Sequence, residues 1–485
     1  MKTAIVIGSG VAGIATSIRL QLKGYQTTVL EKNSYLGGKL TEIQLGNFRF
    51  DEGPSLFTSP NLIEELFHIS KKNMTDYFDY ETCDISCNYF FDDKTHLTFY
   101  ADKQKFKHEI ESKLNVSFKP LEKYLKLSEY KYEATKPIFL EKSLHKTSTY
   151  FSKKLIKCIQ AIPKLNLFKS LDKTNNKALN HPKLIQIFNR YATYNGSSPY
   201  LASGILSLIP HLELNQGSFF PKGGMHSITK ALTKLATDLG VQFITNISVN
   251  ELTKKDEIIH SVKTSNGEYQ ADIIVCNADV KTAYDTFLNK LNKPYKILEQ
   301  ERSSSGIIFY WGINKKFSNL DLHNILFSSN YKEEFNHIFN LKSIYFDPTV
   351  YINITSKKNK DDAPENAENW FVMVNVPSDE NHNWEEIRLI TRKNIINKIN
   401  KVLDTNIEDY IVEEDYLDPT RIQIRTSSAG GALYGSSSNS RNAAFFRHPN
   451  FSEIKNLFFV GGSVHPGGGI PLCLNSAKIA TELID

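Results

Sequence analysis

Short apolar runs punctuated by glycine set the rhythm of this chain. Ala4 to Gly8 is rich in Ile and Val, with the length and β-branching of a buried strand. From Ile14 to Lys23 apolar residues recur at helical spacing, and Gly24 supplies a stop. Thr27 to Leu30 then reads as a second strand. The same brevity returns later. Val241 to Ile244, Ser248 to Leu252, Ile273 to Cys276 and Leu457 to Val460 read as strands, and helices are predicted over His226 to Leu239 and Leu474 to Leu483. Between them the character changes. Phe309 to Ile313, Ile344 to Tyr351 and Trp370 to Val376 are aromatic-rich, β-prone runs that predict a separate sheet forming a wall of an apolar tunnel. Lys357 to Glu368 is charged and contains a proline, so it reads as an exposed loop.

The turn between the first strand and helix is Gly8-Ser9-Gly10-Val11-Ala12-Gly13, and the second strand ends on Glu31 and Lys32. Strand, G-x-G-x-x-G turn, helix, strand and acidic residue follow in the order a dinucleotide fold requires. Gly8 permits the turn, Gly10 lets backbone approach a pyrophosphate, and Gly13 lets the helix sit close to the sheet. The helix N-terminus then offers its N–H groups to the phosphates, and Glu31 is placed to accept from ribose hydroxyls. A second glycine pair, Gly37-Gly38, followed by Lys39, lies beyond the acidic residue. There is one fingerprint only, which argues against a separate nicotinamide site.

With 485 residues the chain exceeds what one core supports, so two or three units are expected. No apolar stretch approaches the length of a membrane span, and the N-terminus lacks the segments of a signal peptide. Five scattered cysteines read as reduced thiols of a cytosolic protein, with no metal site expected. Net charge is only +5, but it is unevenly spread: residues 101–190 hold 20 Lys and Arg against 8 Asp and Glu. Such a segment suits an anionic surface. Within it Phe151, Leu155, Cys158, Ile159 and Ile162 fall on one helical face and Lys153, Lys157 and Lys164 on the other, with Pro163 expected to break or bend the helix. That pattern suits a membrane interface. Nucleic acid is not among the expected partners.

Further segments carry a resemblance. Phe50-Asp51-Glu52-Gly53-Pro54-Ser55-Leu56-Phe57, Phe219-Phe220-Pro221-Lys222-Gly223-Gly224-Met225, and Ile273 to Asp279 with Asn277 resemble those of the FAD-dependent amine oxidase and carotenoid desaturase superfamily. Gly461-Gly462-Ser463 leading into His465-Pro466-Gly467-Gly468-Gly469-Ile470-Pro471-Leu472 is similar to the C-terminal signature of bacterial phytoene-type carotenoid desaturases. The resemblance implies an α/β fold: a Rossmann-like FAD-binding domain (1–72, 219–290 and 455–485), a mixed β-sheet substrate domain (73–100 and 291–454), and a helical, basic, membrane-facing subdomain (101–218). It implies FAD contacts from the two glycine turns, from Gly53, Pro54 and Ser55, from the backbone near Val249, from Asn277, Gly462 and Ser463, and from Ile470, Pro471 and Leu472 at the flavin edge. His465 is a candidate acid or base, although in the family the His-Pro pair looks more like a turn. Gly430 to Gly435 is expected either to border the substrate cavity or to form a plain surface loop.

The implied activity is removal of two hydrogens across a carbon–carbon single bond beside a polyene, with hydride passing to FAD. The resulting cation is delocalised along the conjugated chain, so the remaining proton needs only a weak base or water. Gly37-Gly38-Lys39 and Asp51 to Thr58 resemble the 3,4-desaturases of 1-hydroxylated carotenoids; phytoene or neurosporene desaturation, and flavin-dependent isomerisation without net oxidation, are the alternatives. An amine oxidase would need an aromatic cage and a different C-terminal segment. Oxygen or a membrane quinone is the expected electron acceptor. The expected location is cytoplasmic, peripherally attached to the inner face of the cell membrane.

Overall fold

The computed structural model describes residues 1–378, 381–440, 443 and 445–485. Its centre is a five-stranded parallel sheet in the order Leu457–Phe459, Ile273–Cys276, Thr3–Ile7, Gln26–Leu30, Gln242–Ile244. The strand Thr3–Ile7 alternates its two faces. Ala4 and Val6 join a core with Ile14, Ile18, Leu232 and Leu235 from the helices Val11–Leu22 and His226–Asp238, and with Ala477 and Ala480 from the helix Ile470–Glu482. Ile5 and Ile7 face the opposite way, onto Leu252, Ile259 and Val262 of a three-stranded antiparallel sheet. The short apolar runs therefore belong to strands covered on both faces.

A seven-stranded mixed sheet forms the second wall, ordered Ile411–Leu417, Ser305–Ile313, Glu368–Val376, Val350–Asn353, His323–Leu326, Ile85–Phe90, His96–Tyr100. Phe309, Trp311, Trp370, Val372 and Val374 point to a core shared with Ile395, Ile396 and Ile399 of the helix Trp384–Leu403. Ile308, Tyr310 and Phe371 point to the other face, towards Phe48 and Phe50. Helices Lys103–Leu114, Lys119–Phe139 and Pro182–Asn189 cover the edge strands, with Phe106, Tyr124 and Phe188 packed against Tyr89 and Phe99.

Four expectations need correction. The helix near the C-terminus starts at Ile470 rather than Leu474, because Pro471 is tolerated in a first turn, where its missing N–H costs nothing. Only the end of the run Ile344 to Tyr351 is strand, which spans Val350–Asn353. Lys357 to Glu368 is an exposed loop only in part: Lys360, Asp361, Glu365 and Asn366 are exposed, but Asp362 is fully buried, 3.3 Å from Arg49 Nη1, and Lys357 Nζ lies 2.6 Å from Glu368. Arg49 comes from a distant strand, and its charge offsets the desolvation of Asp362. The amphipathic segment folds as the helix Lys153–Ala161 followed by a tighter turn holding Pro163, but its apolar side is split. Cys158 and Ala161 are buried and Leu155 half-buried, whereas Ile159, Ile162 and Phe151 are exposed.

The resembling segments 50–57 and 219–225 meet through Asp51. Its carboxylate accepts from Met225 N at 2.8 Å and His226 N at 3.0 Å, at the start of the helix His226–Asp238, and pairs with Arg49 Nη2 at 2.6 Å. One side chain thus satisfies a helix end and compensates a half-buried guanidinium. Asp51→Ala is expected to lower stability by about 3 kcal/mol, since it removes the cap and leaves Arg49 with fewer partners; denaturant unfolding of the FAD-loaded protein checks this, and a change below about 0.5 kcal/mol would contradict it.

Candidate functional site

Between the two sheets lies a cavity of about 880 Å³, large for a ligand site. Its first end is built from backbone. Gly8, Gly10, Val11 and Ala12 line it, and the helix Val11–Leu22 starts at Gly10 with no side-chain cap, so its first N–H groups are left for a ligand. Gly37 N donates to Ser9 O at 3.0 Å, and a Cβ on Gly38 would stand 3.3 Å from Gly10 Cα. The second glycine turn therefore lies directly on the first. Gly13 sits outside the lining; a Cβ there would come within 2.2 Å of Gly8 O, so its role is the close seating of helix on strand.

Glu31 is buried and faces this end. Its carboxylate accepts from Ser9 N at 2.9 Å, Ser9 Oγ at 2.7 Å and Asn33 N at 2.9 Å, which fixes it beside the glycine turn. Lys32 also borders the cavity, and its ammonium donates to Ile424 O and Ser427 Oγ, each at 2.7 Å. Lys39 is half-buried against the stretch Gly430 to Gly435, donating to Ala432 O at 3.0 Å and Leu433 O at 2.9 Å; desolvation of its ammonium pulls its pKa down to about 8. Leu433, Tyr434 and Gly435 line the cavity, as expected of that stretch. Gly53, Pro54 and Ser55 do too, and Gly53 is pressed so close to Lys39 O that no Cβ fits. Val249 lines the same end.

The other terminus closes the site. Asn277, Gly462, Ser463 and Ile470 all reach the cavity. The Asn277 amide donates to Gly8 O at 3.2 Å, and a Cβ on Gly461 would stand 2.8 Å from its Oδ1. The helix Ile470–Glu482 begins at Gly469, again with no side-chain cap, and Gly468, Gly469, Ile470 and Cys473 form its cavity side. Pro471 and Leu472, assigned to the flavin edge from sequence, are not among the lining residues; the helical turn carries Ile470 and Cys473 to the cavity instead. His465 does not line it either. It is buried, its pKa is pushed down to about 4 by burial, and its Nε2 lies 2.9 Å from Lys142 O. It is a structural residue of the turn.

Two features escaped the sequence reading. Arg447 is buried behind the glycine segment, donating to Tyr434 O at 3.0 Å and Ser436 O at 2.9 Å, and among the described residues no carboxylate pairs with it. Burial lowers its pKa to about 10. Arg190, which also borders the cavity, donates from Nη2 to Tyr89 Oη at 2.9 Å and from Nη1 to Tyr194 Oη at 3.1 Å, with Glu213 3.4 Å from Nη2. A lone arginine after the apolar run Leu184 to Phe188 was the signal available.

Two uncapped helix N-termini, paired glycine turns and a fixed carboxylate fit a dinucleotide, and the chain belongs to the flavin containing amine oxidoreductase family, which it matches over residues 11–485. FAD is its cofactor. Its sequence is 53% identical over 485 residues to a 1-hydroxycarotenoid 3,4-desaturase of Flavobacterium sp. (strain P99-3), covering 100% of this chain and 99% of the relative. It is 31% identical to a 4,4'-diaponeurosporene oxygenase of Staphylococcus haemolyticus (strain JCSC1435), covering 100% and 97%. An oxidoreductase from Methanosarcina mazei shares the fold with a TM-score of 0.65 at 12% identity, covering 99% of this chain and 100% of that one.

Gly10→Val would drive its Cβ to about 2.9 Å from Asn277 Nδ2, and Glu31→Ala would remove the carboxylate that is fixed beside the glycine turn. Each is expected to weaken FAD binding by roughly tenfold or more, read as the flavin-to-protein absorbance ratio after dialysis. Full occupancy in both would refute the cradle.

Proposed function

We propose that this protein is an FAD-dependent carotenoid desaturase, and that its reaction is 3,4-desaturation of a 1-hydroxylated carotenoid. The observation that carries this reading is the full-length identity of 53% to a relative of that name, joined to a cavity that is lined by glycine turns and helix N-termini on one side and by aliphatic and aromatic side chains on another. When bound, FAD supplies a two-electron acceptor. The residues that would hold it are those of the two glycine turns, Glu31, Asn277 and the start of the helix Ile470–Glu482.

The rest of the chemistry is positioning. Ile308, Ile325, Phe371, Met373, Leu417 and Leu433 line the cavity from the second sheet and the stretches beside it. They exclude water and hold an apolar chain against the cradle, which brings the bond to be oxidised into reach. In this reading oxygen or a membrane quinone accepts the electrons finally. The three-unit division, with boundaries at residues 1–72, 219–290 and 455–485 for FAD, 73–100 and 291–454 for substrate and 101–218 for the helical part, belongs to the same proposal.

So does contact with the inner face of the cell membrane. Among the described residues no helix is long and apolar enough to cross a bilayer. The helical part instead leaves Phe151 88%, Ile156 58%, Ile159 53% and Phe168 80% exposed, beside exposed Lys153, Lys154, Lys157, Lys164 and Lys169. Apolar side chains ringed by lysines suit an anionic interface, each lysine contributing about 1 kcal/mol, and a carotenoid must be taken from lipid.

Anaerobic incubation of the FAD-loaded enzyme with a 1-hydroxylated carotenoid is expected to give a product two mass units lighter with red-shifted absorption, one equivalent per flavin; a product of unchanged mass would instead support isomerisation. Replacing Phe151, Ile159 and Phe168 together by serine is expected to cut binding to anionic vesicles about tenfold or more without changing flavin content, measured by flotation, and undiminished flotation would remove the membrane proposal.

A further inference from the structure

The cavity lining holds a polar patch apart from the glycine turns, Glu31 and Asn277. It is built around His323, on the strand His323–Leu326, which is 3% exposed and lines the cavity together with Arg190, Thr193, Tyr194 and Glu213. The ring's hydrogen bonds fix its tautomer. Asn353 Nδ2 donates to Leu322 O at 2.9 Å, which orients the amide, and lies 3.2 Å from His323 Nδ1. An amide nitrogen cannot accept, so Nδ1 is the acceptor. The Tyr351 hydroxyl, closer at 2.8 Å, shares that nitrogen's single lone pair as the stronger donor, and Ser55 Oγ, 2.7 Å from that hydroxyl, completes the relay. Burial and the neighbouring Arg190 charge pull the His323 pKa down to about 3, so the ring is neutral and its single proton sits on Nε2. Among the described residues that buried Nε2 has no hydrogen-bond partner.

A buried donor without an acceptor is costly, by about 1–3 kcal/mol, and such an orphan beside a ligand cavity is a place where a ligand atom completes the bond. The position is informative. Ser55 belongs to the loop whose Gly53 is pressed onto Lys39, and the turn Gly37-Gly38 lies on Gly10. The relay Ser55–Tyr351–His323 therefore starts beside the FAD cradle. Opposite charges also meet here: Tyr194 accepts from Arg190 and donates to Glu213, leaving a carboxylate in this part of the lining.

We propose that His323 is the specificity-determining residue for an alcohol on the substrate: its Nε2–H donates to the hydroxyl oxygen of the chain terminus, while Glu213, held by Arg190 and Tyr194, faces the hydroxyl proton. Tyr351 and Ser55 are positioning residues that hold the ring. The inference rests on the reading of the protein as a desaturase of 1-hydroxylated carotenoids, and it explains how that bond is selected. Only three bonds separate a hydroxyl oxygen on C1 from C3, so an alcohol anchored beside the cradle fixes the C3–C4 bond near it. A chain without the hydroxyl leaves the donor unpaired, and sites built to bond a hydroxyl reject analogues that lack one.

The test compares two carotenoids differing only in the C1 hydroxyl, on the FAD-loaded enzyme, measuring both equilibrium binding by flavin fluorescence quenching and the split between KM and kcat. Wild type is expected to bind the hydroxylated chain about tenfold or more tightly. His323→Phe should bring the ratio close to one by weakening the hydroxylated chain alone, His323→Gln should restore part of it, and Tyr351→Phe should lower it by loosening the ring. If His323→Phe does not fold, Tyr351→Phe decides alone. A ratio that stays at the wild-type value in His323→Phe, or in Tyr351→Phe where that decides, overturns the anchor and leaves the reading of the reaction intact. A wild-type enzyme that oxidises neither chain, or does not distinguish them, overturns the reading itself and the anchor with it.

Discussion

The contact on which this architecture depends is the amide of Asn277. It stands at the end of the strand Ile273–Cys276, between neighbours that are far apart in sequence. One side of the amide holds the Gly8 carbonyl and lies under Gly10 and Gly13, where an added Cβ would approach Nδ2 to 2.9 and 2.8 Å. The other side meets Gly461. Backbone from both ends of the chain converges on one side chain, and each approach is possible only because no Cβ intervenes. The glycine fingerprint, the resembling segment around Asn277 and the late glycine-rich segment are therefore three views of one constraint.

That constraint explains what could be read from sequence. The parallel sheet was legible because its strands are covered on both faces and so appear as unbroken apolar runs, and the glycine turns were legible because close backbone approach leaves no alternative residue. Most of the cofactor-side residues, from Gly8 and Glu31 to Ile470, indeed border one cavity. Pro471 and Leu472 fall outside the cavity lining because helix phase, and not sequence adjacency, decides which residues of a first turn face it. The fate of Asp362 and of residues 357–368 was hidden for another reason. Its burial is decided by Arg49, more than 300 positions away, and no local pattern records such a partner. Arg190, Glu213 and His323 escaped likewise: they sit in separate elements, and only the fold assembles them.

The two sheets divide the work by the chemistry of their faces. The parallel sheet presents strand ends and helix N-termini, rich in unpaired N–H groups, which suit phosphates and an electron-rich ring. The mixed sheet presents alternate side chains, aliphatic and aromatic, which suit a hydrocarbon. Where its strands His323–Leu326 and Val350–Asn353 meet, the lining turns polar, and the helical part adds Arg190 and Glu213 there. The same helical part bears the exposed apolar residues on its outside. The helical part thus joins an exposed apolar surface to two charged residues of the cavity lining.

The pairing of the strand Thr3–Ile7 with Ile273–Cys276, and of the latter with Leu457–Phe459, also has a temporal meaning. During synthesis the first glycine loop leaves the ribosome hundreds of residues before its partners, and such distant pairing is slow to form. Until the helix Ile470–Glu482 has emerged, the nucleotide has only half a grip. The nucleotide cradle is therefore complete only once the helix Ile470–Glu482 has joined the first glycine loop, and a chain cut short of that helix would lack one of its two sides.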